Sequence, residues 1–283
     1  MPTPPTSAQH DPAGAGALGG SGDAPKIDIA GVSVSFAGPG TSVRHDAVTD
    51  ISTTIQPGEF VSLIGPSGCG KTTLINAIAG MVPTSRGSLA IDGTPVRGIQ
   101  HEKVAFMLAR DALLPWRTAF ANVRLALEVG AGAQHPAADA RSRELLALVG
   151  LEGKEDFYPG QLSQGMRQRV ALARTLAADR EILLMDEPFA ALDAQTRTLI
   201  GAEFSRIWEG RRKTVVLVTH DLTEAIALAD RVLVMSSGPG RIVADHRITL
   251  PRPRVILDLP ADETFQQLYR TLWMQLRPSL EEA

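Results

Sequence analysis

Apolar residues change period along this chain, and the changes mark its elements. Over Lys26–Phe36, Ile27, Ile29, Val32, Val34 and Phe36 alternate with polar or small residues, the period of a half-buried strand. Ala37-Gly38-Pro39-Gly40 makes a turn, and Val43–Ile55 supplies more strand, closed by Gln56-Pro57-Gly58. Val61, Leu63 and Ile64 form a short run with β-branched members, the signature of a buried strand. From Lys71 the period lengthens, with Leu74, Ile75 and Ile78 at helical spacing. Ser88–Asp92 and Val104–Leu108 predict further strands. Residues 119–158 predict helix in two segments: Phe120, Val123, Leu125, Leu127 and Val129, then Glu144–Leu151, with Gly130-Ala131-Gly132-Ala133 between them.

Beyond residue 161, strands and helices alternate. Val170, Leu172, Ala173 and Leu176 predict a helix, and Ile182–Met185 a buried strand. Leu199, Phe204, Ile207 and Trp208 predict a helix, and Thr214–Val218 a buried strand. Ile226 and Leu228 belong to a helix, Arg231–Met235 and Arg241–Ile248 to strands. Pro251 to Arg254 interrupts the pattern, and Glu263–Leu276 predicts a last helix burying Phe265, Leu268, Leu272 and Trp273. This order predicts an α/β protein with a helical lobe inserted into it.

Composition narrows the classes. The chain has 283 residues, 44% hydrophobic and 21% charged, as in an ordinary globular protein. A net charge of −3 offers no overall basic surface, so nucleic acid is not an expected partner. Cys69 is the one cysteine, which rules out an intrachain disulfide and fits a reducing compartment. No run approaches the roughly 18 apolar residues of a membrane span, and residues 1–25 lack the apolar segment of a signal peptide. Rich in Pro, Gly, Ala and Ser, they predict a disordered tail.

The candidate chemistry lies where apolar strands end. After Ile64 comes Gly65-Pro66-Ser67-Gly68-Cys69-Gly70-Lys71-Thr72-Thr73, a phosphate-loop pattern in the strand–turn–helix context it requires. Glycines let backbone N–H groups converge on a polyanion, and the helix start adds a positive dipole end. Lys71 can reach the β and γ phosphates, and the Thr72 hydroxyl can ligate Mg²⁺. The strand Ile182–Met185 delivers Asp186 and Glu187 at the end where α/β sheets bind ligands. There an Asp can hold Mg²⁺ and a Glu can polarise a water. His220 follows the strand Thr214–Val218 and faces the same edge. Ser163 is a good N-cap for the helix that carries Gly165, and Asp193 for the next. Phe36, beside a glycine turn, either stacks on a base or caps the sheet core. Ala112–Thr118, with Leu113-Leu114-Pro115-Trp116 inside it, is a docking surface if exposed and lobe core if buried; the pattern favours burial.

GPSGCGKTT, LSQGMRQR, ILLMDEP, ALD and VTHD, in this order and spacing, resemble the ATP-binding subunits of ABC transporters. The resemblance covers about residues 26–280, and the LSxG-plus-QR motif separates this family from other phosphate-loop NTPases. LLPWRT, THDLTEAIALADRV and the Pro-Arg C-terminal end look like the nitrate/sulfonate/taurine importer branch. The resemblance implies a P-loop NTPase ABC cassette with a RecA-like core, an antiparallel β subdomain and an α-helical subdomain. Its expected extent is 26–260, with the helical subdomain at about 109–165 and a C-terminal helix at 261–283. ATP and Mg²⁺ are the implied cofactors. Phe36 would stack on adenine, Gly65–Thr73 would cradle the phosphates, Thr72 and Asp186 would hold Mg²⁺, and Glu187 would be the base for water. His220 would contact the γ-phosphate. Ser163 and Gly165 would meet ATP held by a second copy, with Asp193 at the seam.

The implied partners are that second ATP-binding subunit, an integral-membrane permease and a periplasmic or lipid-anchored solute-binding protein. The implied place is the cytoplasmic face of the membrane, with LLPW and its lobe as the dock. An ATPase driving import is one reading. A nucleotide-gated subunit with weak hydrolysis is the alternative, because Ala109 stands where the family normally has a Gln that contacts Mg²⁺ and the attacking water. A cassette acting on DNA or ribosomes is disfavoured: there is one cassette and no heptad run.

Overall fold

The computed structural model describes residues 24–37, 44–109, 111–131 and 137–281. The expected tail (apart from its last two residues), the Gly38-Pro39-Gly40 turn, Arg110 and Gly132-Ala133 lie outside them.

Two sheets carry the fold. The larger has strand order β10-β9-β3-β8-β7-β6, from Ile242–Arg247 (β10), Arg231–Met235 (β9), Phe60–Ile64 (β3), Thr214–Val218 (β8), Ile182–Asp186 (β7) and Val104–Met107 (β6). β3, β6, β7, β8 and β9 are parallel, and β10 pairs antiparallel with β9. Every residue of β3, β7 and β8 is buried, which is why these strands are mostly apolar rather than alternating. Hydrophobic clusters lie on both faces of this sheet. The smaller sheet is antiparallel in the order β2-β1-β4-β5, from Arg44–Ile55 (β2), Ile27–Ala37 (β1), Arg86–Ile91 (β4) and Thr94–Pro95 (β5). The half-buried period of Lys26–Phe36 is seen in β1, where Ile27, Ile29, Val32 and Val34 point into the core.

Seven α-helices are described: α1 Lys71–Ile78, α2 Ala119–Ala131, α3 Ala138–Leu148, α4 Gln164–Ala177, α5 Ala194–Arg211, α6 Leu222–Leu228 and α7 Glu263–Glu281. α2, α3 and α4 pack on one another around Val123, Leu145, Leu146 and Val170. The stretch 149–158, expected helical, instead forms turns that end at Tyr158. Among the described residues no helix is long and apolar enough to cross a membrane.

Two burial expectations are corrected. Trp273 is 45% exposed although Phe265, Leu272 and Leu276 of α7 are buried. At 100° per residue, Trp273 points about 80° away from Phe265, whereas Leu272 and Leu276 lie within about 20° of it. The Leu113–Trp116 segment splits: Leu113 joins the core and Trp116 is 71% exposed. Fully buried Asn122 explains the split. Its Oδ1 accepts from the Leu114 amide at 2.8 Å, and its Nδ2 donates to the carbonyls of Leu114, Arg117 and Thr118 at 3.0–3.2 Å. With those backbone groups satisfied, the turn stands at the surface and the indole projects from it.

Candidate nucleotide site

The five parallel strands open their C-terminal ends on one edge. The loop after β3, Asp186 and Glu187 at the end of β7, His220 just past β8 and Ala109 just past β6 therefore gather there, the edge where ligands bind in such sheets. α1 begins at Lys71 with Gly70 in the left-handed conformation at φ 91°. A side chain at position 70 would also strike Val48 Cγ1 at 2.5 Å and the Ala47 carbonyl at 2.6 Å. β2 thus presses directly on the loop. Gly240 joins that segment of β2, donating its amide to the Ala47 carbonyl at 3.0 Å and accepting from the Thr49 amide at 2.9 Å. The loop thus packs against two bonded chain segments that are far apart in sequence.

The Lys71 side chain is buried, and its ammonium donates to the carbonyls of Gly65 and Pro66 at 2.8 Å each, with Cys69 Sγ at 3.6 Å. Those are weak partners for a full buried charge, and none of them is anionic. A phosphate is the partner this arrangement suits. The Thr72 hydroxyl donates to Asp186 Oδ1 at 3.2 Å. Burial, with Glu187 adding to it, pushes the Asp186 carboxyl above its ordinary range, against the pull of Thr72 and Lys71. Thr72 and Asp186 offer two hard oxygen donors. Among the described residues no group of three or more His, Cys, Asp or Glu could hold a metal. A magnesium ion fits here when substrate phosphates complete its shell, the usual arrangement for that ion.

Glu187 has φ 48°, a strained value for a residue with a side chain. Three elements fix it. Its amide donates to the Val218 carbonyl at 2.9 Å, its carbonyl accepts from Gln168 Nε2 at 3.3 Å, and the strand β7 delivers it. Its Oε1 lies 3.5 Å from His220 Nδ1, and both side chains are open to solvent. Glu187 and His220 are thereby brought together at the mouth of the site.

Ser163 caps α4, accepting from the Met166 amide at 3.3 Å, and Asp193 caps α5, accepting from the Thr196 amide at 2.9 Å. The Thr196 amide holds the Asp193 carboxyl below its usual range. Neither Ser163 nor Asp193 hydrogen-bonds to the Lys71 loop within one chain. Phe36 is paired with His45 across the β1–β2 ladder and is 47% exposed, so it does not cap the core. Ala109 is exposed and brings no side-chain oxygen to the edge.

Three neighbours of the site escaped the sequence reading. Gln168 is buried on the Glu187 carbonyl; its only signal was its place in the LSQGMRQR stretch. Arg197 binds Asp221, next to His220, at 2.9 Å. Glu224 accepts from the Thr219 hydroxyl at 3.0 Å while its Oε1 is buried without a partner. Burial, aided by Asp221 and Glu187, pushes its carboxyl up to about 8, against the pull of Thr219 and Arg197. Nothing in one sequence distinguishes such a Glu from the acidic residues favoured at any helix start.

Residues 48–190 match the family model described as ABC transporter. The chain is 44% identical over 229 residues to an uncharacterized ABC transporter ATP-binding protein, MJ0412, of Methanocaldococcus jannaschii, covering 81% of this chain and 84% of that one. It is 42% identical to the taurine import ATP-binding protein TauB of Pseudomonas entomophila over 77% of this chain and 82% of that one. It superposes with TM-score 0.72 and 29% identity on the ATP-binding cassette MJ0796, solved as a dimer in a post-hydrolysis state with ADP and Pi; the match covers 80% of this chain and all of that one. A loop built for phosphate, two carboxylates at the end of β7 and these relatives lead to one conclusion: the chain belongs to the ABC transporter family, as an ATP-binding cassette ATPase.

Proposed function

We propose that this ATPase powers import of a small anion or organosulfur compound, of the nitrate, sulfonate or taurine type, through a separate membrane permease. The taurine-importer relatives support the substrate class. The observation that carries the site is Lys71 folded on carbonyls beside a Thr72–Asp186 pair: a cation waiting for phosphate next to a two-oxygen metal seat. In this reading Gly65 to Thr73 wrap the phosphates, Lys71 neutralises them, and Thr72 and Asp186 hold Mg²⁺. When bound, the ion supplies charge neutralisation at the phosphates. Phe36 stacks on the adenine. Glu187 takes the proton of the attacking water and His220 steadies the γ-phosphate, roles that suit the 3.5 Å between their side chains.

A second copy completes the site. Ser163 and Gly165 of one copy meet the nucleotide of the other, with Asp193 at the seam; the dimeric state of MJ0796 supports this arrangement. Leu114 and Trp116 form the permease dock, on the cytoplasmic face of the membrane, in a system that includes a solute-binding protein. Two arginines of α4 tie that helix to the segment leading into the dock. Arg167 Nε donates to Asp111 Oδ2 at 2.8 Å, and Arg174 donates to the carbonyls of Asp111 and Ala112 at 2.9 Å each. Movement of α4 on closure therefore pulls on the segment that leads into the dock.

The bare Ala109 favours one alternative, a subunit that closes on ATP and hydrolyses it weakly. Steady-state phosphate release, with and without permease, separates the two readings. Hydrolysis that Glu187→Gln abolishes supports the first; hydrolysis unchanged in that variant removes Glu187 as the base.

A further inference from the structure

One side chain holds both the turn ahead of α5 and the turn that carries His220. Arg197 donates from Nη2 to the Leu192 carbonyl at 3.0 Å and from Nη1 to Asp221 Oδ2 at 2.9 Å. Asp221 directly follows His220. Its Oδ1 caps α6, accepting the amides of Thr223 and Glu224 at 2.8 and 3.2 Å. Its own amide donates to Thr219 Oγ1 at 3.0 Å, and that hydroxyl bonds Glu224 at 3.0 Å. The residues on either side of His220 are thus fixed to each other, and Arg197 ties their turn to the turn ahead of α5. The histidine side chain itself is exposed, while its backbone is set from behind.

The geometry points to Arg197 as a positioning residue for His220, one that couples the place of the Ala190–Asp193 turn to the place of the histidine. A guanidinium is a rigid planar fork, so its two bonds cannot be adjusted independently. If a second copy displaces the Leu192 carbonyl, the fork tilts and Asp221 moves with it. The inference rests on the proposed reading that the Asp193 turn meets a second copy and that His220 serves hydrolysis.

The test uses the full chain, comparing steady-state ATPase of wild type with Arg197→Met, Arg197→Lys, Asp221→Asn, the double Arg197→Met/Asp221→Asn, and His220→Gln. Arg197→Met is expected to lower kcat about tenfold or more, with KM for ATP within about twofold. Lys keeps one charged donor toward Asp221 and should recover part of that loss. Asn keeps the α6 cap, so the double variant should be no slower than Arg197→Met alone. The ring resonance of His220, assigned by its disappearance in His220→Gln, should move in Arg197→Met and gives a readout that needs no turnover. An unchanged kcat in Arg197→Met, an unmoved resonance, or losses that multiply in the double variant each overturn the proposal. So does a loss in Met and Lys alike that tracks a fall in melting temperature. If His220→Gln leaves kcat unchanged, the reading of His220 is what fails, and the proposal goes with it.

Discussion

Gly240 lies outside every nucleotide motif, yet the structure makes it a support of the phosphate loop. A Cβ there would sit 1.9 Å from the Cys69 carbonyl oxygen and 2.9 Å from Met235 Cε. The methionine end can turn aside; a backbone carbonyl inside the phosphate loop cannot. Gly240→Ala must therefore push the two segments apart by about 1.5 Å to reach ordinary van der Waals contact. That shift strains the two backbone bonds joining Gly240 to Ala47 and Thr49, each worth about 0.5–1.5 kcal/mol. It also displaces the loop amides that, in the proposed reading, bond the phosphates, and a hydrogen bond to a charged group is worth about 1.5–3 kcal/mol. The expected outcome is ATP affinity weakened about 10- to 100-fold, with a folded protein whose melting temperature falls by a few degrees. Titration calorimetry with ATP and a thermal melt measure the two. Wild-type affinity in Gly240→Ala would show that the loop does not depend on this close approach.

Other outcomes follow from single residues. Glu224 has a folded-state value near 8, far above that of an unfolded Glu, so its contribution to stability is present at acid pH and lost as pH rises toward 8. Glu224→Gln needs no proton; its melting temperature relative to wild type should rise between pH 5 and pH 8, and a flat difference would place the carboxylate in solvent. The ATPase reading requires a water in place of the missing amide, so Ala109→Gln should change turnover by less than about tenfold, or ~1.4 kcal/mol, in a phosphate-release assay. A gain of several orders of magnitude would instead favour the weakly hydrolysing alternative. Leu114→Glu or Trp116→Glu should abolish copurification with the permease and leave ATP affinity intact, since Trp116 is exposed and the turn beneath it is held by Asn122. Lost ATP affinity in those variants would mark the patch as core.

The site was legible in the sequence wherever chemistry sat at the end of an apolar run. Ile64, Asp186 and Val218 end three buried strands, and the phosphate-loop pattern, Glu187 and His220 come at or just past those ends, so local pattern alone placed all three on one edge. What brings residues together across long separations was not legible. Ala47 and Gly240, bonded to each other although far apart in sequence, both pack against the loop, and Arg197 of α5 reaches Asp221 beyond β8. Burial on helices was read only in part. Trp273 lies at the margin of its apolar stripe, where periodicity cannot tell inside from outside, and Asn122 looked like any polar helical residue until its four bonds to the Leu114–Thr118 turn were seen. The departure at Ala109 was visible at once, but only by comparison with a family pattern.

The central claim is that one chain holds the triphosphate and a second copy seals it. Light scattering of Glu187→Gln, slowed in hydrolysis, measures this directly. The account predicts a monomer without nucleotide, a dimer with ATP and Mg²⁺, and a monomer again when Ser163→Arg is added. A Glu187→Gln protein that binds ATP with Mg²⁺ and stays monomeric would contradict it.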